Sequence, residues 1–253
     1  MTDVHALTLA CALLIGVAMG LVGVGGIFLI PLLVALEGLT VQQAAGTSLA
    51  TFVATGLVGA SLYAAHGRID WRMATLTSAG SLVAGPLGAA LSVNLPQGAV
   101  KLVFALFLLA AGVNALMPRL AGHSTLTDVG NTPRLGRPLL LACGALVGFG
   151  AGLVGVGGPV ILVPLLLMLH VSPALAVGVS QVNQVVASAS GAAGHLAFGS
   201  IDPALAAILT VFEVVGVIVG ALASRRVSAA RLKGAVGILC LVVALWTAAG
   251  LLT

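Results

Sequence analysis

Few side chains in this 253-residue chain could bind or carry anything, and they fall in two patches. One holds Ser180, Gln181, Asn183 and Gln184 just after Gly178; the other holds Thr47, Ser48 and Thr51 just after Gly46. Each patch follows the heptapeptide Gly-Leu-Val-Gly-Val-Gly-Gly, which occurs without a mismatch at residues 20–26 and 152–158. Where such a glycine run interrupts a helix, freed backbone N–H groups attract anions. Gly23, Gly25, Gly26, Gly155, Gly157 and Gly158 could supply them. Joined by hydroxyls and amides, they would hold an oxyanion through neutral donors and release it more easily than Lys or Arg would. Each feature has a plainer use. Gly16/Gly20, Gly148/Gly152 and Gly216/Gly220 have the spacing of close helix packing, and hydroxyls such as Thr51, Thr55, Ser188 and Ser190 suit hydrogen bonding between helices.

One carboxyl stands apart. Glu213 lies ten residues from both ends of the apolar run 203–223, while the other five acids lie at run ends or in loops. Ionisation at that depth is costly, which makes Glu213 a candidate to carry a coupling proton. His195, near the end of its run, is a weaker candidate for the same role and suits an interfacial or packing position better. His66, His123 and His170 fall at loops or boundaries. Cys11, Cys143 and Cys240 lie singly in separate runs and suggest neither a redox pair nor a metal site. No cofactor motif is present.

These residues must be positioned by helices in a bilayer. Sixty per cent of residues are apolar and 6% are charged, which marks an all-α, polytopic integral membrane protein, with lipid as its surroundings and no role in binding nucleic acid. Eight apolar runs occur, at roughly residues 4–36, 41–65, 73–92, 98–117, 138–170, 174–197, 203–223 and 234–252. A crossing needs about 20 residues, so the first and fifth runs, each holding a glycine motif, are too long for one helix. The halves repeat at an offset of 132 residues, matching Gly46 and Ser48 with Gly178 and Ser180, and Ile69-Asp70 with Ile201-Asp202. Residues 1–117 and 138–253 therefore read as two transmembrane repeats joined by a cytoplasmic linker, 118–137.

The basic residues show how the long runs travel. With eight single crossings, the ten Lys and Arg residues divide five to five between the two faces; with a fifth run that doubles back, nine share a face and only Lys101 is opposite. Cytoplasmic loops collect positive charge, so the hairpin is favoured. The repeat extends it to the first run and gives the halves opposite orientation. Loops 66–72, 118–137 and 224–233 are then cytoplasmic, and both termini lie on the other face. Two broken hairpins entering from opposite faces form an inverted repeat of about eight to ten helices, a transporter's geometry.

The same residues resemble the TauE/SafE family of sulfite exporters and related permeases over nearly the whole chain. The resemblance rests on Gly25-Gly26 followed by Pro31, Gly157-Gly158 followed by Pro164, and then Ala45-Gly46-Thr47-Ser48 and Val177-Gly178-Val179-Ser180. Many members carry a third consecutive glycine, where this chain has Ile27 and Pro159. The resemblance implies export or uptake of small sulfur-containing or organic anions, such as sulfite, thiosulfate or sulfonates including sulfoacetate, across a bacterial cytoplasmic membrane. A passive anion channel is the second reading, and an apolar seal on both sides of the turns would weigh against both. A membrane enzyme is the least favoured, since no nucleophile and base are paired and no HExxH is present. The sequence leaves substrate, direction, coupling ion and homo-oligomerisation open.

Overall fold

The computed structural model describes residues 5–22, 26–116, 135–198 and 201–223, with a few positions between 238 and 245. Both overlong runs break at their glycines. The first gives α1 (Ala6–Val22), a 3-10 turn (Gly26–Phe28) and α2 (Leu29–Leu36). After α3 (Val41–Ala65), α4 (Trp71–Asn94) and α5 (Gln97–Leu116), the second gives α6 (Arg137–Val154) and α7 (Gly158–Met168), followed by α8 (Pro173–Ala197) and α9 (Pro203–Ala223). Among the described residues there is no strand. Helices α3, α4, α6 and α9 are long and apolar enough to cross a membrane, so the protein is an all-α, polytopic membrane protein.

Local chemistry sets the ends. Gly155 adopts the left-handed conformation (φ 77°) and its N–H closes α6 on Ala151 O at 2.7 Å, a cap that a Cβ would strain. Pro159 falls in the first turn of α7, where a missing N–H is harmless, so the replacement of glycine there is compatible with the helix start. The matched aspartates perform one task in both halves: Asp70 Oδ1 accepts from Met73 N and Asp202 Oδ1 from Leu205 N, each at 3.0 Å, capping α4 and α9. Thr40 and Gln43 form a capping box at α3.

Both long runs return to the end from which they started. Glu37, just past α2, accepts from His5 N and Thr8 Oγ1 at the start of α1. At the opposite end, Leu135 and Leu140 beside the start of α6 share one apolar cluster with Leu166 and Leu169 at the end of α7.

The contacts also fix helix direction. Gly144, Gly148 and Gly152 of α6 meet Thr77, Ser81 and Gly85 of α4 in rising order, so these helices run parallel; Gly16 and Gly20 of α1 meet Glu213 and Val217 of α9 in the same way. A Cβ on any of these glycines would enter partner backbone, which confirms the close packing use of the spacing. Against α8, α4 is parallel (Gly85 to Ser190, Pro86 to Gly194), whereas α3 is antiparallel (Gly56 to Val185, Gly59 to Gln181, Tyr63 to Gly178). Thr47 and Thr51 of α3 lie beside Asp202 and Glu213. Two triplets result, α1/α3/α9 and α4/α6/α8, each drawing helices from both halves and meeting where α3 faces α8. The pairs exchange under the 132-residue offset, as they do in an inverted repeat.

Leu82, Val83 and Leu87 on α4, Leu106 on α5, and Val211, Val215 and Leu222 on α9 are exposed. Such faces suit hydrocarbon and form the lipid boundary.

Candidate functional site at the glycine turns

Phe52 lies at the centre of the molecule, in the middle of α3. It is fully buried, and its ring meets Gly26 of the first turn at its tip and Gly157 of the second at one edge. A Cβ on Gly26 would enter the ring at 2.5 Å, and one on Gly157 would touch it at 3.4 Å. The one ring thus touches both turns. The repeat pairs Phe52 with Gln184, which is just as buried and donates from Nε2 to Phe52 O at 3.1 Å and Thr55 Oγ1 at 3.2 Å. Sequence reasoning passed over Phe52, because an apolar residue in an apolar run carries no signal of its own. Its pairing with Gln184 in the repeat was the available clue.

The second turn gathers most of the candidates. Gly158 opens α7, and a Cβ on it would lie 2.9 Å from Asn183 Oδ1 and 3.2 Å from the Gln184 backbone. Asn183 donates from Nδ2 to Ser81 Oγ at 2.8 Å, and Ser81 donates in turn to Gly144 O at 2.7 Å. The expectation that these amides offer N–H groups to an anion needs correction: both nitrogens are engaged in joining helices, and Asn183 Oδ1 and Gln184 Oε1 are the buried atoms without a partner among the described residues. Donors facing the turn are the N-terminal N–H groups of α7.

The remaining candidates are dispersed. Thr47 Oγ1 accepts from Asp202 N at 3.1 Å and ties α3 to the start of α9. Ser48 is buried, and its hydroxyl has no partner among the described residues. Thr51 and Ser180 bond back to Ser48 O and Ala176 O within their own helices, and Thr55 reaches Thr51 O. Ser190 does join two helices, donating to Ser81 O at 3.2 Å. Gln181 borders a small cavity, about 10 Å³, with Thr55, Gly59, Tyr63, Met19 and Gly20. Leu62, Val217 and Ala221 complete its lining, which includes neither Gln184 nor the described turn glycines. Gly23, Gly25 and His123, with most of the 118–137 and 224–233 loops, lie outside the described residues.

Glu213 is fully buried, and neither carboxyl oxygen has a hydrogen bond among the described residues. The Thr51 hydroxyl lies beside it, but that proton is directed to Ser48 O at 2.9 Å, leaving only its lone pairs for Glu213. His195 is buried in the last turn of α8 with Nε2 2.8 Å from Gly152 O, a carbonyl that the break in α6 leaves without a helical donor. It packs rather than lines an interface with water. Among the described residues, no three His, Cys, Asp or Glu side chains converge as a metal site would require.

Comparison with known proteins agrees with this architecture. The family described as Sulfite exporter TauE/SafE matches residues 7–247. The chain belongs to that family. Among curated relatives, it is 28% identical over 232 residues to "Probable membrane transporter protein YdhB" of Bacillus subtilis, covering 88% of this chain and 91% of the relative. "Probable membrane transporter protein YunE" of the same organism is 26% identical over 211 residues, covering 75% and 77%. A protein of Methanocaldococcus jannaschii with the same type of name is 29% identical over 176 residues, covering 66% and 63%. No solved structure matches the chain. The TauE/SafE assignment makes this a multi-pass membrane transporter.

Proposed function

We propose that this transporter is a secondary carrier of small sulfur-containing or organic anions, among them sulfite, thiosulfate and sulfonates such as sulfoacetate, across the bacterial cytoplasmic membrane. The observation that carries this reading is the meeting of two glycine turns from oppositely directed hairpins at Phe52, midway along α3 and α8. Helix breaks at that depth are tolerated where protein or a polar cavity satisfies them, and carriers use such breaks to bind their ions. Around the second turn, Gly155, Gly157 and Gly158 provide backbone access, and Ser48, Asn183 and Gln184 provide the polar wall. Glu213 is proposed as the proton carrier. Among the described residues the helices packed most closely on α9 are α1 and α3, and neither brings a charge to it; their titratable side chains are Cys11 and Tyr63. Phe52, Asn183 and Gln184 are fully buried beside the second turn, as expected of an occluded state in a carrier's cycle.

Counterflow of labelled sulfite, thiosulfate and sulfoacetate in proteoliposomes tests the proposal. Saturable exchange of at least one anion is expected, and Gly157→Val should abolish it. A flux that rises without saturation would instead describe a channel, and no exchange of any would remove the anion reading. The orientation has its own test: cysteine placed at Gly67 should be reached by an impermeant thiol reagent only from the cytoplasmic side, and labelling in intact cells would invert the topology.

A further inference from the structure

We infer that Asn183 and Gln184 select an anion bearing its own hydrogen-bond donor, either a monoprotonated oxyanion or a hydroxyl-bearing sulfonate, because both amides present acceptors to the second glycine turn. The inference rests on the glycine-turn reading and adds the substrate's protonation class to it.

The amide orientations are not interchangeable. Ser81 directs its only proton to Gly144 O, so toward Asn183 it can only accept, and Nδ2 must be the atom that faces it. Gln184 Nε2 faces the backbone carbonyl of Phe52, which cannot donate. Turning Asn183 round would set oxygen against a hydroxyl whose proton is already given, and turning Gln184 would set oxygen against the Phe52 carbonyl, with only the Thr55 hydroxyl as a donor in return. Both side chains are fully buried, and Asn183 Oδ1 and Gln184 Oε1 have no partner among the described residues. Asn183 Oδ1 faces the start of the 11-residue helix α7, 2.9 Å from a Cβ position on Gly158, and the Gln184 amide lies beside Gly157, its Cδ 3.7 Å and Oε1 3.8 Å from a Cβ position there.

The helix start and the two oxygens make opposite demands. N-terminal N–H groups favour the negative end of a ligand, whereas buried carbonyl oxygens without donors favour a proton directed at them. A dianion, or a sulfonate lacking any donor, meets the first demand and leaves the second unmet. An anion with one O–H meets the first and gives its proton to one of the two oxygens. Discrimination of this kind arises from unpaired polar groups facing the wrong ligand. The titratable groups on the surrounding helices are Tyr63, Arg72, Arg137, Cys143 and His195, and among the described residues none of them bonds either amide, so a donor carried by the ligand meets a need that these side chains leave open.

The test uses the unaltered full chain in proteoliposomes, with labelled sulfite counterflow as readout. Competition by 2-hydroxyethanesulfonate should be about tenfold stronger than by ethanesulfonate, and Asn183→Ala or Gln184→Ala should narrow that gap. In parallel, half-saturation expressed as monoprotonated sulfite should stay constant with pH. Equal competition by the two sulfonates, or half-saturation that tracks the dianion, overturns the inference while sulfite exchange keeps the anion site. Sodium-dependent affinity without a difference between the sulfonates assigns the oxygens to a cation and overturns it too. Absence of exchange with every anion removes the site reading itself, and the inference with it.

Discussion

Ser81 and Glu213 occupy equivalent positions in the two halves, each facing a glycine of the partner helix, Gly148 for Ser81 and Gly16 for Glu213. Ser81 is saturated: it donates to Gly144 O, accepts from Asn183, and its carbonyl receives Ser190. Glu213 instead keeps two buried oxygens that have no hydrogen-bond partner among the described residues, beside Thr51, the repeat mate of Asn183. A serine wall freezes one amide in place, whereas a carboxyl wall leaves a group that can be neutral only by holding a proton. The duplicated scaffold thus provides two similar walls with different chemistry, and the proposed division gives ligand selection to one and proton carriage to the other.

The largest expected effect follows from removing that difference. Glu213→Gln keeps the size and polarity of the side chain but cannot exchange a proton, and an ionised carboxyl at this depth would cost about 2.5 kcal/mol or more. Accumulation driven by a proton gradient should be abolished, while counterflow at equal pH on both sides persists. If accumulation survives in proteoliposomes, Glu213 is a structural residue and the two walls differ in name only.

The next effect separates Phe52 from its repeat mate. Phe52→Ala should lower stability by about 3–5 kcal/mol, because it empties the space between the turns; Gln184→Ala should cost about 1–3 kcal/mol through the donors and acceptors left unpaired. Thermal unfolding in detergent compares them directly. Similar losses would show that the ring does not hold the turns apart.

Much of this arrangement was legible in the residues. Runs of more than 30 apolar residues interrupted by GLVGVGG could not be single helices, and both do break there. Asp70 and Asp202 matched in sequence and cap equivalent helices. What could not be read depended on partners far along the chain. The direction of the Asn183 amide is set by Ser81, 102 residues away, and without it the patch reads as a set of donors. The exchange of helices between halves, α1 onto α9 and α6 onto α4, leaves no mark on periodicity, although the glycine spacings that permit it were visible.

A third effect tests the serine wall. Ser81→Ala removes the acceptor of Asn183 Nδ2, which has no other among the described residues, and should cost about 1–3 kcal/mol in thermal stability. It should also reduce the discrimination between the two sulfonates, because the amide would be free to rotate. Unchanged discrimination would mean that something other than Ser81 orients Asn183.

The smallest effect concerns Thr55, which shares one donor with a second acceptor. Gln184 Nε2 bonds Thr55 Oγ1 at 3.2 Å and Phe52 O at 3.1 Å. Thr55→Val therefore removes one of two acceptors and leaves the amide nitrogen satisfied. The Thr55 hydroxyl also makes only a long bond, 3.4 Å, back to Thr51 O, so little else is lost and the branched shape is kept. The expected cost is under about 1 kcal/mol, below that of Ser81→Ala, where the sole acceptor goes. Measured side by side, the two substitutions ask whether redundancy or geometry holds these amides. A Thr55→Val loss as large as that of Ser81→Ala would mean that the Phe52 carbonyl alone does not fix Gln184, and that Oε1 can turn from the glycine turn.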